Sequence, residues 1–193
     1  VGTSQISLSI SADGTTLAIG SGRYDNTFSG QVRVYKYNGT WNQKGNIIYG
    51  ISTAGYLGSS ISISSDGNTL AVSGNGLSTA NVYKYNSNTN TWDNMGGTIW
   101  GGSTIDSVSL SSDGTIIAVG GIANGFTAYY AGAVYIYKYE NSVWNLYGNI
   151  IYGRSSNEYF GWSVSLSSDG TIVVIGGRGY DNARGVTRVY KLQ

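Results

Sequence analysis

The 193-residue chain has no cysteine and no histidine, and only 11% of it is charged. Without Cys there is no disulfide scaffold, no thiolate-bound zinc, no thiol nucleophile and no redox switch, and the redox compartment leaves no trace in the sequence. Without His the commonest metal ligand is missing, together with Ser-His-Asp triads and imidazole acid-base chemistry. Eleven Lys and Arg against ten Asp and Glu leave a net charge of +1. That balance argues against a basic nucleic-acid platform, an acidic solvating tail and a polybasic membrane anchor. No apolar run approaches the roughly 20 residues that a membrane-spanning helix needs, and no charged segment followed by an apolar one stands at the start. The expectation is therefore a chain with no cofactor, no metal, no nucleic-acid partner and no membrane insertion. It begins at Val1, and its one Met is Met95, so a processed product or a piece excised from a longer chain is expected.

What the chain does have is 30 glycines, 17 tyrosines and an internal repeat. A Ser/apolar run ending in Asp-Gly occurs four times, as SLSISADG, SISISSDG, SVSLSSDG and SVSLSSDG. Its aspartates Asp13, Asp66, Asp113 and Asp169 are spaced by 53, 47 and 56 residues. Each copy continues into a small-apolar run (TTLAIGSG, NTLAVSGN, TIIAVGGI, TIVVIGGR), then a variable loop, then QVRVYKY, NVYKY, AVYIYKY or TRVYKL. A fourth element carries Trp and Gly in three copies, WNQKGNIIYG, WDNMGGTIWG and WNLYGNIIYG, around Trp41, Trp92 and Trp144.

The first element alternates Ser with Ile, Leu or Val at period two, and β-branched residues dominate the others, so each element reads as a strand. Asp-Gly between the first two predicts a two-residue type I′ hairpin, in which both central residues take positive φ. No stretch carries a helical period. Four antiparallel strands per unit at a period near 50 predict the blades of a β-propeller, with 15 strands in all. The expected fold is thus an all-β, single propeller domain over residues 1–193. Its four four-stranded blades span approximately 5–50, 58–101, 105–153 and 161–193, the last lacking its outer strand, and the ring is either complete or part of a larger one. Ala18, Ala71 and Ala118 in the second strands suit tightly wedged inner strands.

These repeats resemble the FG-GAP-like and WD40/YVTN-like propeller blades of secreted, surface and giant-virus proteins, over about Ser7 to Leu192. The resemblance implies that the Asp-Gly strand lies innermost and the Trp strand outermost. None of the four Asp-Gly turns has the second carboxylate of an FG-GAP calcium loop, and Tyr-Lys stands where WD40 blades carry Trp-Asp.

Among candidate site residues, the repeated aspartates are best explained as turn formers, and the repeated Trp and Tyr-Lys residues as packing. Residues that break the repeat are better candidates, and they fall in the loops 22–31, 75–81, 122–133 and 177–186 between second and third strands. Arg23, Tyr24, Asp25 and Asn26 in the first loop match Arg178, Tyr180, Asp181 and Asn182 in the last. Phe126, Tyr129 and Tyr130 make the third loop aromatic. Exposed Arg, Tyr and Asn suit contacts with protein or glycan. Trp100 and Trp162, additional to the repeated set, are the residues on which a sugar would stack.

The function expected from these features is a non-catalytic structural or protein-recognition module of an extracellular, cell-surface or virion assembly. A lectin-like, carbohydrate-binding propeller is the alternative. A glycosidase needs two carboxylates roughly 5–10 Å apart, and only Asp25, Asp93, Asp106, Glu140, Glu158 and Asp181 lie outside the Asp-Gly turns. An open strand edge at Arg188 to Leu192 in so weakly charged a chain predicts a protein partner or self-association there.

Overall fold

The computed structural model describes residues 6–24, 26–102, 104–122, 128–179 and 184–192, which form an all-β architecture of four antiparallel sheets with no helix. The first sheet contains β1 (Ile6–Ile10), β2 (Thr16–Ser21), β3 (Gln31–Tyr37) and β4 (Trp41–Gln43) in that order, with β5 (Ile48–Tyr49) also paired to β3. The second contains β6 (Leu57–Ile63), β7 (Thr69–Gly74), β8 (Thr79–Asn86) and β9 (Thr91–Trp100). The third runs through β10 (Ile105–Leu110), β11 (Ile116–Gly121), β12 (Ala133–Glu140) and β13 (Val143–Leu146), with β14 (Ile151–Tyr152) on β12. The fourth has three strands, β15 (Phe160–Leu166), β16 (Ile172–Gly177) and β17 (Val186–Lys191).

Among the described residues seventeen strands replace the 15 expected, because the Trp element breaks in two in the first and third sheets. The break falls at Gly45 and Gly148, both at φ 77°, and the equivalent Gly96, also at 77°, kinks β9 without interrupting it. The Asp-Gly connections also differ from the expected type I′ turn. Gly14, Gly67, Gly114 and Gly170 take φ near 70°, but the aspartates before them do not take positive φ. Each connection is instead a five-residue loop in which the Asp carboxylate accepts hydrogen bonds from the loop itself. Asp113 Oδ1 accepts from Ser111 Oγ at 2.7 Å and from the Thr115 amide at 2.9 Å, and Ser111 Oγ accepts the Ile116 amide at 2.9 Å. A short polar side chain thus replaces the backbone strain of a tighter turn.

Period-two alternation sends one face of each sheet forward and the other back. Ala18 and Val34 of the first sheet meet Ile61, Ile63, Leu70 and Val72 of the second. Ala71 and Val82 of the second meet Ile117 and Val119 of the third, and Ala118 and Ile136 of the third meet Val173 and Ile175 of the fourth. The innermost strands are tied by serine. Ser9 Oγ accepts the Ile63 amide, Ser62 Oγ the Leu110 amide and Ser109 Oγ the Leu166 amide, each at 3.0 Å. Around the same rim the Asp-Gly loops join through Ser65 N to Ser112 O and Ser112 N to Ser168 O, both 2.9 Å. Trp92 and Trp144 seal the outer ends of two junctions, donating Nε1 to Lys44 O (2.9 Å) and Met95 O (2.7 Å) of the preceding sheet.

Junctions alternate in kind. At the first-to-second and third-to-fourth junctions, Gly58 and Gly161 form bulges at φ 89° and 97° and press against Gly20 and Gly120. There Ser7 Oγ donates to Gly58 O at 2.7 Å and Ser107 Oγ to Gly161 O at 2.8 Å. The second-to-third junction has no glycine bulge: β10 has a one-residue irregularity at Asp106, and Ser60 Oγ accepts the Val108 amide at 3.0 Å.

The four sheets form an arc whose ends do not meet. At the first sheet Leu8 is 66% exposed and Ile10 57%, although their counterparts Ile61 and Ile63 are buried. At the fourth, Val174 and Val189 are 37% and 65% exposed, where Ala118 and Ile136 are buried.

Candidate functional site

Strands run so that the loops entering each first strand share a rim with the loops between second and third strands, opposite the Asp-Gly loops. On that rim two equivalent aromatic pairs straddle the bulged junctions. Phe28 stacks on Tyr56 with ring centres 5.9 Å apart, and Tyr130 stacks on Tyr159 at 5.6 Å. All four hold left-handed φ of 50–55°, a conformation that costs a non-glycine residue on the order of 1 kcal/mol and persists only where its surroundings enforce it. Here backbone hydrogen bonds do so: Tyr56 N to Phe28 O at 2.9 Å and Tyr159 N to Tyr130 O at 3.0 Å.

Each pair carries an arginine. The Arg23 guanidinium lies 5.3 Å from the Phe28 ring centre and 5.4 Å from that of Tyr56. Arg178 lies 4.9 Å from Tyr159 and 3.7 Å from Trp162, while Tyr129 meets Tyr130 edge-on at 4.4 Å. The second cluster borders a cleft of about 320 Å³ lined by Trp162, Ser163, Arg178, Arg184 and Thr187.

Beneath it lie two carboxylates of different character, Glu158 buried and Asp106 half-buried. Glu158 is fully buried and saturated, accepting the Arg154 and Ser155 amides at 2.7 and 3.0 Å through Oε2 and the Arg188 guanidinium through Oε1. Asp106 accepts only Asn75 Nδ2, at 3.1 Å, and its buried Oδ2 has no hydrogen bond among the described residues. Burial pushes the Asp106 carboxyl up to about 6, against the opposing pull of the Arg178 charge.

The structure therefore brings Tyr129, Tyr130, Arg178 and Trp162 together, and places Arg23 in the matching cluster. Tyr24 leaves that cluster for Tyr49, 6.4 Å away, and Asn26 is exposed. Trp100 stands apart at the end of β9, edge-on to Tyr135 at 5.2 Å. Asp25, Phe126, Tyr180, Asp181 and Asn182 lie outside the described residues. Phe28, Tyr56 and Tyr159 were not singled out from the sequence, although an aromatic residue two positions before Gly30 and Gly132 and two before Gly58 and Gly161 marks all four places. The remaining described acids serve locally. Asp93 accepts from Asn86 and Thr91, and Glu140 pairs with Lys138 at 2.6 Å. Among the described residues no group of three or more acids could hold a metal ion.

No protein-family model matches the chain, and no curated protein matches it. Solved structures do. It superposes on hydrazine synthase from Kuenenia stuttgartiensis with a TM-score of 0.64 at 16% identity, covering 95% of this chain and 45% of that one. A 6-phosphogluconolactonase-like protein from Bacteroides uniformis gives 0.59 at 11% identity, with 99% and 56% covered. TolB from Acinetobacter baumannii gives 0.57 at 17% identity, with 95% and 40% covered. The chain thus spans about half the length of the structures it matches, and at these identities the likeness concerns fold alone. Those neighbours are β-propeller-type folds, and this chain is an arc of four blades of the same kind.

Proposed function

We propose that this propeller arc is a non-catalytic recognition module of an extracellular, cell-surface or virion assembly, binding a protein partner through its Arg-aromatic rim. The observation that carries this reading is the recurrence of one device, a stacked aromatic pair with an arginine against at least one of its rings, at both glycine-bulged junctions on the same rim. The fold does not require it, since the second-to-third junction closes without it. Arg, Tyr and Trp dominate the energetics of protein contacts, Tyr and Trp because they cover large areas with few rotatable bonds to immobilise and Arg because its planar guanidinium both stacks and donates several hydrogen bonds. The two clusters present that chemistry at two points of one rigid surface. Hydrolysis by paired carboxylates is disfavoured, because the described acids are engaged in turns or ion pairs and Asp106 faces an arginine.

A carbohydrate reading is favoured by one feature, the cleft beside Trp162 with Ser163 and Thr187 on its wall. Against it, Arg178 at 3.7 Å already covers one face of that indole. Selection of a displayed random-peptide library on the purified chain, beside a glycan array, tests both. Peptides that bind the wild type and are lost on Arg23→Ala or Arg178→Ala support protein recognition. Glycan binding without peptide binding favours the lectin reading, and peptide binding indifferent to both substitutions overturns the rim as the site.

A further inference from the structure

We infer that the two open ends of the arc are complementary halves of one contact, and that the blade-1 face of a second copy seats on the blade-4 face of the first. The argument starts from the serine ladder. At the second-to-third junction, Ser60 and Ser62 each accept an amide of the next inner strand, from Val108 and Leu110. In the fourth blade Ser163 and Ser165 occupy the places of Ser60 and Ser62, paired to Gly176 and Val174 as Ser60 and Ser62 are to Ser73 and Ala71. In the first blade Leu8 and Ile10 occupy the places of Val108 and Leu110, paired to Ile19 and Leu17 as those are to Val119 and Ile117. One end therefore presents the acceptors of the repeated contact and the other its donors.

The apolar rows match in the same way. Behind the serines of the fourth blade lie Val174 and Val189, where the buried Ala71 and Val82 stand in the second. Around Leu8 and Ile10 lie Leu17 and Ile19, only half-buried, where Ile117 and Val119 are fully buried in the third. Junction kind agrees as well. Neither β10 nor β1 carries a glycine bulge among the described residues, and Ser7 pairs with Gly20 as Ser107 does with Gly120, so a fourth-to-first contact repeats the type without a glycine bulge. The occupant each face fits is a blade of this sequence, and the same chain carries an uncovered one.

Two copies joined fourth blade to first at both ends give a two-fold ring of eight blades, within the range of about 4–8 that propellers adopt. Such head-to-tail contacts close when the rotation completes a circle. Trp41, half-exposed at the outer end of the first sheet, stays outside this contact because the three-stranded fourth sheet reaches only as far as β17.

The test is native mass spectrometry with light scattering at micromolar concentration. The wild type is expected at twice the chain mass. Leu8→Asp blocks one face and Val189→Asp the other, so each variant alone is expected at the monomer mass. Their equimolar mixture recovers a dimer through the one intact pair of faces. Both side chains are exposed in the single chain, and thermal melts check that the variants fold. Since the chain contains no cysteine, Ile10→Cys with Ser165→Cys gives an independent readout: oxidation links two chains head to tail. A monomeric wild type overturns the inference. So does a dimer that either single-face variant still forms, a ladder of sizes growing with concentration, or no disulfide-linked dimer from the Cys pair.

Discussion

Arg188 on β17 reaches across the end of the fourth blade to Glu158, whose carboxylate has no solvent exposure, and stands 4.8 Å over the Phe160 ring. The pair holds the loop that carries Tyr159 against the sheet that carries Arg178. Removing the cation strands a buried charge, which typically costs about 3–5 kcal/mol. Arg188→Met should lower the urea midpoint accordingly, whereas Arg188→Met with Glu158→Gln should recover part of the loss. An unchanged midpoint in the single variant would contradict the burial of Glu158.

Asp106 predicts a pH dependence of opposite sign to that of most carboxylates. Its folded pKa, about 6, lies above the ordinary value of 3.8, so the folded state keeps its proton longer than the unfolded chain does. Its contribution to stability is greatest below about pH 4, declines as pH rises to about 6 and is constant thereafter. Asp106→Asn should flatten that segment and stabilise the protein at pH 7 by about 1 kcal/mol, a figure reduced for partial solvent screening. Urea midpoints across the range check it.

The Asp-Gly loops depend on a serine that the strand alternation alone does not require. Ser111 is buried, donates to Asp113 and accepts the Ile116 amide. Ser111→Ala leaves that buried amide without its partner and takes from Asp113 one of its hydrogen bonds, the Thr115 amide remaining, a loss of about 1–3 kcal/mol. Amide exchange of Ile116 should accelerate in the variant, and a protected Ile116 would refute the role given to the hydroxyl.

Inner strands should reject added carbon in proportion to how little their neighbours can yield. Ala71→Leu overpacks the second-to-third core and should cost about 1–3 kcal/mol. A Cβ at Gly120 would lie 2.1 Å from the Gly161 carbonyl oxygen, a backbone atom, so Gly120→Ala should be the more damaging of the two despite its smaller size. Thermal melts of both variants decide the order.

The all-β class and the order of strands within each sheet were legible because period-two alternation and the four aligned copies report the same thing independently, whereas the strand count was not, since the breaks at Gly45 and Gly148 split the Trp element in two. The turn geometry was not, because Asp-Gly serves both a two-residue hairpin and a longer loop, and the difference lies in Ser11, Ser64, Ser111 and Ser167 bonding the aspartates. The site was legible only in part. Arg178 and Trp162 were both singled out, but 16 residues separate them in sequence and only the fold makes them one stack. Phe28 and Tyr56 escaped because their significance lies in left-handed backbone and inter-sheet stacking, neither of which a local pattern reveals.

The alternation of junctions with and without a glycine bulge has a consequence for how such a chain can grow or shrink. In a closed ring of such blades, gain or loss of a single one must set two junctions of the same kind side by side, so that a Gly20-type strand meets a neighbour with no glycine bulge to fill the space. Gain or loss of two blades keeps every neighbour matched. Duplication in pairs is therefore the step this architecture tolerates, and an odd-numbered descendant would have to carry one mismatched seam.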